Sequence, residues 1–123
     1  MKFRIPIYTY RAFVTVHISK NKKKLNKWFS NSCGKFGEVN DKFDSTGICF
    51  DIDIDKNGDR NCDVILDGNQ LTPSLIAHEM LHAVCYILRY VDIPHSIESE
   101  EAYTCLLDHL VGQTFFKCGD KIK

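Results

Sequence analysis

What the chain lacks narrows its possibilities first. No apolar run approaches the ~20 residues that a membrane-spanning helix needs, so no membrane segment is expected. The opening stretch MKFRIPIYTYRAF has no long apolar core followed by a small-residue cleavage site, and it reads as the first strand of the fold rather than as a secretion signal. No two cysteines have CxxC spacing. Without a secretion signal, the six thiols at 33, 49, 62, 85, 105 and 118 are expected to stay free and mostly buried, in a reducing cytoplasm. Acids are missing from residues 1–36, which hold nine Lys or Arg, whereas residues 37–123 hold seven bases against sixteen acids. The densest basic run, SKNKKKLNK, has no nucleic-acid motif around it and reads as the solvated face of a helix, so no nucleic-acid partner is expected. Internal repeats and low-complexity tracts are absent too. With 123 residues and 44% hydrophobic content, the whole chain (1–123) reads as one domain with one core.

What is there begins with AFVTVHI (12–18), whose β-branched and aromatic residues predict a strand. From about Asn21, Leu25, Trp28 and Phe29 recur at helical spacing, with Gly34 as the stop and the Trp28 side turned to the sheet. GEVNDKFDSTG (37–47) is polar and aperiodic, a surface loop. Next, Ile48, Phe50, Ile52 and Ile54 alternate with Cys49, Asp51, Asp53 and Asp55; NG at 57–58 marks a tight turn, and Cys62, Val64 and Leu66 resume the alternation. A β-hairpin with one apolar and one acidic face is expected. Asp53, Asp55, Asn57 and Gly58 also match the start of an EF-hand loop. Its twelfth position should be a bidentate Glu but falls on Val64, and the flanks are strands, which excludes it.

Thr72 as N-cap, Pro73 at the first helical position and a Leu71–Ile76 staple open a helix that runs to about Tyr90. Pro94 breaks the chain, and a last helix is predicted from about Ile97 to Phe116, closed by Lys117 and Gly119. The predicted order is strand, helix, hairpin, helix, helix.

The chemistry lies in LIAHEMLHAVCY (75–86). Residues four apart share a helix face, so His78 and His82 can offer two imidazoles to one ion, with Glu79 about 100° away. This is HExxH geometry, in which two neutral imidazoles hold Zn²⁺ and the carboxylate takes a proton from the attacking water. Ile76, Met80, Ala83, Val84 and Ile87 form a separate apolar stripe to anchor the helix, leaving the polar triplet for a cleft. A catalytic zinc takes three protein ligands. Cys85 and Leu88 stand where a metzincin needs Gly and His, so the third ligand must come from further on, where Glu98, Glu100 and Glu101 open the next helix. His17, His95, Tyr103 and His109 read as structural or surface residues.

HEMLH (78–82) followed by Glu101-Ala102 resembles the gluzincin group of zincin metallopeptidases, and the EEAYTCLLDHLVG tail is most similar to compact HExxH proteins of bacteriophages and to repressor-cleaving ImmA-type peptidases. The resemblance spans about residues 71–113. It implies an α+β, minimal zincin-like domain: a small antiparallel sheet carrying an HExxH helix and a following C-terminal helix. It implies Zn²⁺ on His78, His82 and Glu101, with Glu79 as general base, and a peptide or protein substrate. Glu101 also lies on a stripe with Cys105 and Asp108, beside the apolar side formed by Leu106, Leu107, Leu110 and Val111. No second motif supplies an oxyanion-stabilising His or Tyr, and no large C-terminal domain follows. The rival expectations are a non-catalytic zinc-stabilised phage structural protein, including association with a virion, and a protein that disables a host factor by binding it.

Overall fold

Two eight-residue strands lie side by side in the middle of the sheet and organise everything else. The computed structural model describes residues 1–123 and contains strands β1 (Lys2–Ile7), β2 (Ala12–Ser19), β3 (Gly47–Cys49), β4 (Asp53–Ile54) and β5 (Arg60–Asp67), with helices α1 (Lys22–Lys35), α2 (Pro73–Tyr90) and α3 (Glu100–Cys118). The sheet order is β1-β2-β5-β3, with β4 also paired to β5. The α+β class is as expected, but the sheet is mixed rather than antiparallel. β2 and β5 run parallel, from Ala12 opposite Arg60 to Ser19 opposite Asp67, because the chain crosses through α1 between them. The opening stretch makes two strands, folded at a 3-10 turn (Tyr8–Tyr10) that Arg11 closes at φ +50°.

Both faces of the sheet are covered. Ile5, Val14, Val16, Val64 and Leu66 pack with α2 and α3 in the main core, while Leu25, Phe43 and Ile65 form a smaller cluster under α1 with Trp28, Phe29, Ile48 and Phe50. The expected hairpin therefore has no single apolar face. Ile48 lies opposite Ile65 and Cys49 opposite Val64, so Ile48 and Phe50 face α1 while Cys62, Val64 and Leu66 face α2. The register then slips by one, with Asp53 opposite Asn61. Residues 51 and 52 together oppose Cys62, a β-bulge that carries Ile52 into the main core. A period of two says that neighbours face opposite sides; it does not say that both sides are buried.

Local hydrogen bonds set both helix starts, at Asn21 as well as at the expected cap Thr72. Asn21 caps α1 by accepting from Lys24 N–H at 3.2 Å, and Thr72 Oγ1 caps α2 by accepting from Leu75 N–H at 3.2 Å. Leu71 and Ile76 are both buried, as the staple requires. The 37–46 stretch of the loop is exposed except for Phe43, which stacks on Phe29 at 5.7 Å and whose N–H donates to Asn26 Oδ1 at 2.9 Å, and Gly47 already begins β3. The last helix starts later than expected because Ser96 and Ser99 first hold a turn, Ser99 Oγ donating to Pro94 O at 2.6 Å. At its far end Gly119 stays right-handed and leads into a further 3-10 turn.

The α1 face is not apolar throughout. Asp63 is buried there, accepting from Lys35 Nζ at 2.8 Å, Ser32 Oγ at 3.0 Å and Asn61 Nδ2 at 3.1 Å, with His17 Nε2 at 3.4 Å. Burial opposes ionisation of Asp63, but the hydrogen bonds from His17 and Lys35 and the Lys35 charge outweigh it, holding the carboxyl well below the usual carboxylate range. A carboxyl lowered in the folded state contributes stability above its unfolded value near ~3.9 and loses it as pH falls toward the folded value. Asp63→Asn should cost about 1–3 kcal/mol at neutral pH by leaving buried donors underpaired. Urea unfolding from pH 7 down to pH 3 should show a flatter acid limb in the variant than in the wild type; parallel curves would contradict the account.

Candidate metal centre

α2 lies across the sheet with Ile76, Met80, Ala83, Val84 and Ile87 buried, as its stripe predicts. Glu79 is buried with them at 5% exposure, whereas His78 and His82 are exposed. The polar triplet is thus split rather than turned as one to a cleft. The helical period explains why: Glu79 is three residues after Ile76 and four before Ala83, so it falls on the apolar stripe itself. The two imidazoles remain neighbours, their ring centroids 5.0 Å apart and their planes 75° to each other. His78 Nε2 lies 3.6 Å from Glu79 Oε1, which keeps the carboxylate at the foot of the pair.

Glu79 is buried because β3 approaches α2 closely. A Cβ on Gly47 would stand 2.9 Å from Leu75 Cδ1 and 3.1 Å from Glu79 Cγ, so only glycine gives this spacing without a shift. Burial raises the Glu79 carboxyl above the usual range, partly countered by the positive charge that His78 and His82 can carry. The Cys49 thiol is raised well above its usual value by a hydrogen bond with Cys62, by burial and by the nearby Glu79 carboxylate. Beside Glu79 opens a cleft of about 520 Å³, walled by Ser45, Thr46 and Gly47 on one side and by Thr72, Ser74 and Leu75 on the other, with His78 and Glu79 between. β3 is an edge strand of the sheet, and at Gly47, its one residue in the cleft, Ser45 Oγ accepts from the backbone N–H and donates to the C=O.

Glu101 is not brought to the histidines. It sits exposed in the first turn of α3, accepts from Cys105 Sγ at 3.4 Å, and lines a separate cleft of about 500 Å³ with Tyr8, Tyr10 and His109. No three His, Cys, Asp or Glu side chains converge closely enough to hold a metal ion together. The cause is the rotation of α3. Its buried stripe is Tyr103, Leu106, Leu110, Thr114 and Cys118, not Leu106, Leu107, Leu110 and Val111. Thr114 and Cys118 can be buried because each donates back into its own helix, to Leu110 O at 2.8 Å and Thr114 O at 3.0 Å. Tyr103 is in the core and donates to Ile93 O at 2.7 Å. Glu98 and Glu100 are exposed, His95 packs edge-on against Tyr103 at 4.9 Å, and His109 Nε2 lies 3.0 Å from Pro6 O.

All six cysteines are free, with Cys105 exposed and Cys85 half-buried rather than core thiols. Motif matching passes over two residues here. Tyr86 extends the i, i+4 row of His78 and His82 by one more turn, its ring 6.5 Å from His82, and the period alone marks it. Gly47 ends a polar loop, and nothing in the sequence distinguishes it from a turn glycine. Compared with protein-family models, curated proteins and solved structures, the chain matches none.

A carboxyl whose folded value is raised costs stability once pH exceeds its unfolded value of ~4.3, because the buried form must then carry charge. Glu79→Gln removes that charge at nearly constant shape. Its urea midpoint at pH 7 should equal or exceed that of the wild type, and the two should converge as pH falls toward 4. A variant clearly less stable at pH 7 would show that the Glu79 charge supports the fold.

Proposed function

We propose that the chain is a zinc-dependent peptide hydrolase whose metal is held by His78 and His82 and whose general base is Glu79. The observation that carries this reading is the placing of HExxH residues beside a sheet edge: His78 and Glu79 open on a cleft whose opposite wall is Ser45, Thr46 and Gly47, where edge strand β3 begins. The donor chemistry fits zinc as far as two exposed imidazoles one helical turn apart go. A third protein ligand is not in place, and Glu101 lies in another cleft. When bound, zinc would supply Lewis-acid polarisation of a scissile carbonyl and of a water molecule.

The chain's own residues would do the remaining work. An extended peptide can add to the outer edge of β3 by backbone hydrogen bonds once it displaces Ser45 Oγ from Gly47, which would bring one of its amides past Glu79. The raised Glu79 carboxyl is a stronger proton acceptor than an exposed one, so it suits removal of a proton from the attacking water. Its buried position also holds that proton close for return to the leaving amine. The placement of Glu101 favours one rival, a zinc-binding module without catalysis, since a two-ligand site can bind metal and still not turn over.

Elemental analysis and peptide-library hydrolysis together decide the matter. The wild type should hold one zinc per chain, His78→Ala and His82→Ala should each lose most of it, and Glu101→Ala should keep it. Glu79→Gln should retain zinc while hydrolysis falls by about 10²–10⁴-fold. A metal-free wild type overturns the reading, and metal-loaded protein whose hydrolysis ignores Glu79→Gln leaves the non-catalytic module.

A further inference from the structure

The opposite face of the sheet carries a second feature that the zinc reading does not use. Seven polar or charged residues in the chain are buried, and five of them — Thr15, His17, Ser32, Asn61 and Asp63 — surround one spot under α1. A helix packed on a sheet normally covers apolar side chains, as Leu25 and Phe43 do at the other end of this face. Burying five polar side chains costs free energy unless each finds partners. Four of them do. Thr15 Oγ1 donates to Asn61 Oδ1 at 2.6 Å, Asn61 Nδ2 and Ser32 Oγ donate to Asp63, and Lys35 reaches in from the rim.

His17 is the exception. Its Nε2 faces the Asp63 carboxylate, which can only accept when ionised, so Nε2 carries the proton. In the neutral ring Nδ1 is then an acceptor. It is buried, on a residue 7% exposed, and no group donates to it. The Trp28 ring lies over the imidazole, centroids 5.1 Å apart and tilted by 47°. Alongside runs a cleft of about 350 Å³, to which Trp28, His17 and Lys35 contribute together with Lys2 and Arg4. Trp28 is its one hydrophobic lining residue. Lys2 is directly opposite His17 in the β1–β2 register, which sets the two side chains next to each other on this face. Arg4 leans toward Asp55 at 3.5 Å and Lys35 is held by Asp63, but Lys2 forms no ion pair.

We propose that this cleft binds a small organic anion that carries its own hydrogen-bond donor: the anionic group meets Lys2 and Arg4, and a hydroxyl or amino group a few bonds away donates to His17 Nδ1. Trp28 is half-buried and is the side chain that must swing aside to admit the donor, then close on the ligand as a flat wall. A carboxylate with an α-hydroxyl and a nucleoside monophosphate both have this chemistry, and they differ in which anion Lys2 and Arg4 receive.

Trp28 is the only tryptophan of the chain, so its fluorescence reports the site directly. The full-length protein is titrated with lactate, with adenosine monophosphate, and with acetate, which has the charge but no donor. A saturable change with lactate alone assigns a carboxylate ligand, and one with the nucleotide alone assigns a phosphate ligand. Lys2→Ala and Arg4→Ala change exposed side chains that leave the fold intact, and each should weaken the response about tenfold. On the wild type, the ¹⁵N resonance of His17 Nδ1 should move on saturation, because a donor then hydrogen-bonds to its unpartnered lone pair. No saturable change with lactate or nucleotide overturns the proposal. So does an equal response to acetate, an unaltered affinity in both rim variants, or a His17 signal that stays fixed while Trp28 responds. Both His78→Ala and the wild type should give the same titration, so failure here is separate from failure of the zinc reading.

Discussion

Everything in this fold depends on β5 being buried on both faces while paired in parallel to β2. Cys62, Val64 and Leu66 point to one helix layer and Asn61, Asp63 and Ile65 to the other, all of them buried. A strand in that position has no solvent side to spare, so α1 must cover one face and α2 with α3 the other. The third constraint is lateral. β3 and β4 fill the remaining edge of β5 in two short pieces, because the bulge at 51–52 interrupts them. The position of α2 follows from these demands, not from the needs of its histidines.

That origin explains the character of the candidate centre. The helix stripe that anchors α2 includes Glu79, and Gly47 lets the edge strand come near enough to bury it. His78 and His82 inherit the opposite position, on the rim. A carboxylate forced into the core edge beside two exposed imidazoles has chemical potential of both kinds: it is a better base, and it is a destabilising charge. Functional groups commonly carry such a cost, offset by packing elsewhere.

How much of this was legible in the chain differs by type of signal. The Thr72 cap, the staple and the turn were readable because each is a local match among a few neighbouring residues; Thr72 acts where its sequence context puts it, whereas Asn21 marked only where α1 begins and proves to be its cap. Strand and helix identity were readable from period. Pairing was not. Nothing within residues 12–18 states that their neighbour is 60–67 in parallel, and that single fact turns an expected two-faced hairpin into a strand buried on both sides. The rotation of α3 was also out of reach. The buried stripe takes in Tyr103, Thr114 and Cys118 in place of Leu107 and Val111, and Thr114 can be there only because its hydroxyl bonds back to Leu110; a stripe drawn from Leu106, Leu107, Leu110 and Val111 instead turns Glu101 toward α2. The split of the HExxH triplet was within reach, since Ile76, Glu79 and Ala83 stand at spacings of three and four.

The parallel β2–β5 pair has a consequence for the order in which the chain can fold. Its partners are far apart along the sequence; Thr15 and Asn61, which touch across it, are separated by 46 positions. Such a contact repays the closure of a long loop only after that loop has been drawn in, which slows folding relative to helical domains of similar size. The β1–β2 hairpin can form early, but two strands alone are marginal in water. A chain emerging from the ribosome must therefore expose everything up to Asp67 before its sheet has a centre. Until then Val14, Val16 and Ile18 stay uncovered, and the run of lysines that follows them, at 20 and 22–24, keeps such chains apart by charge.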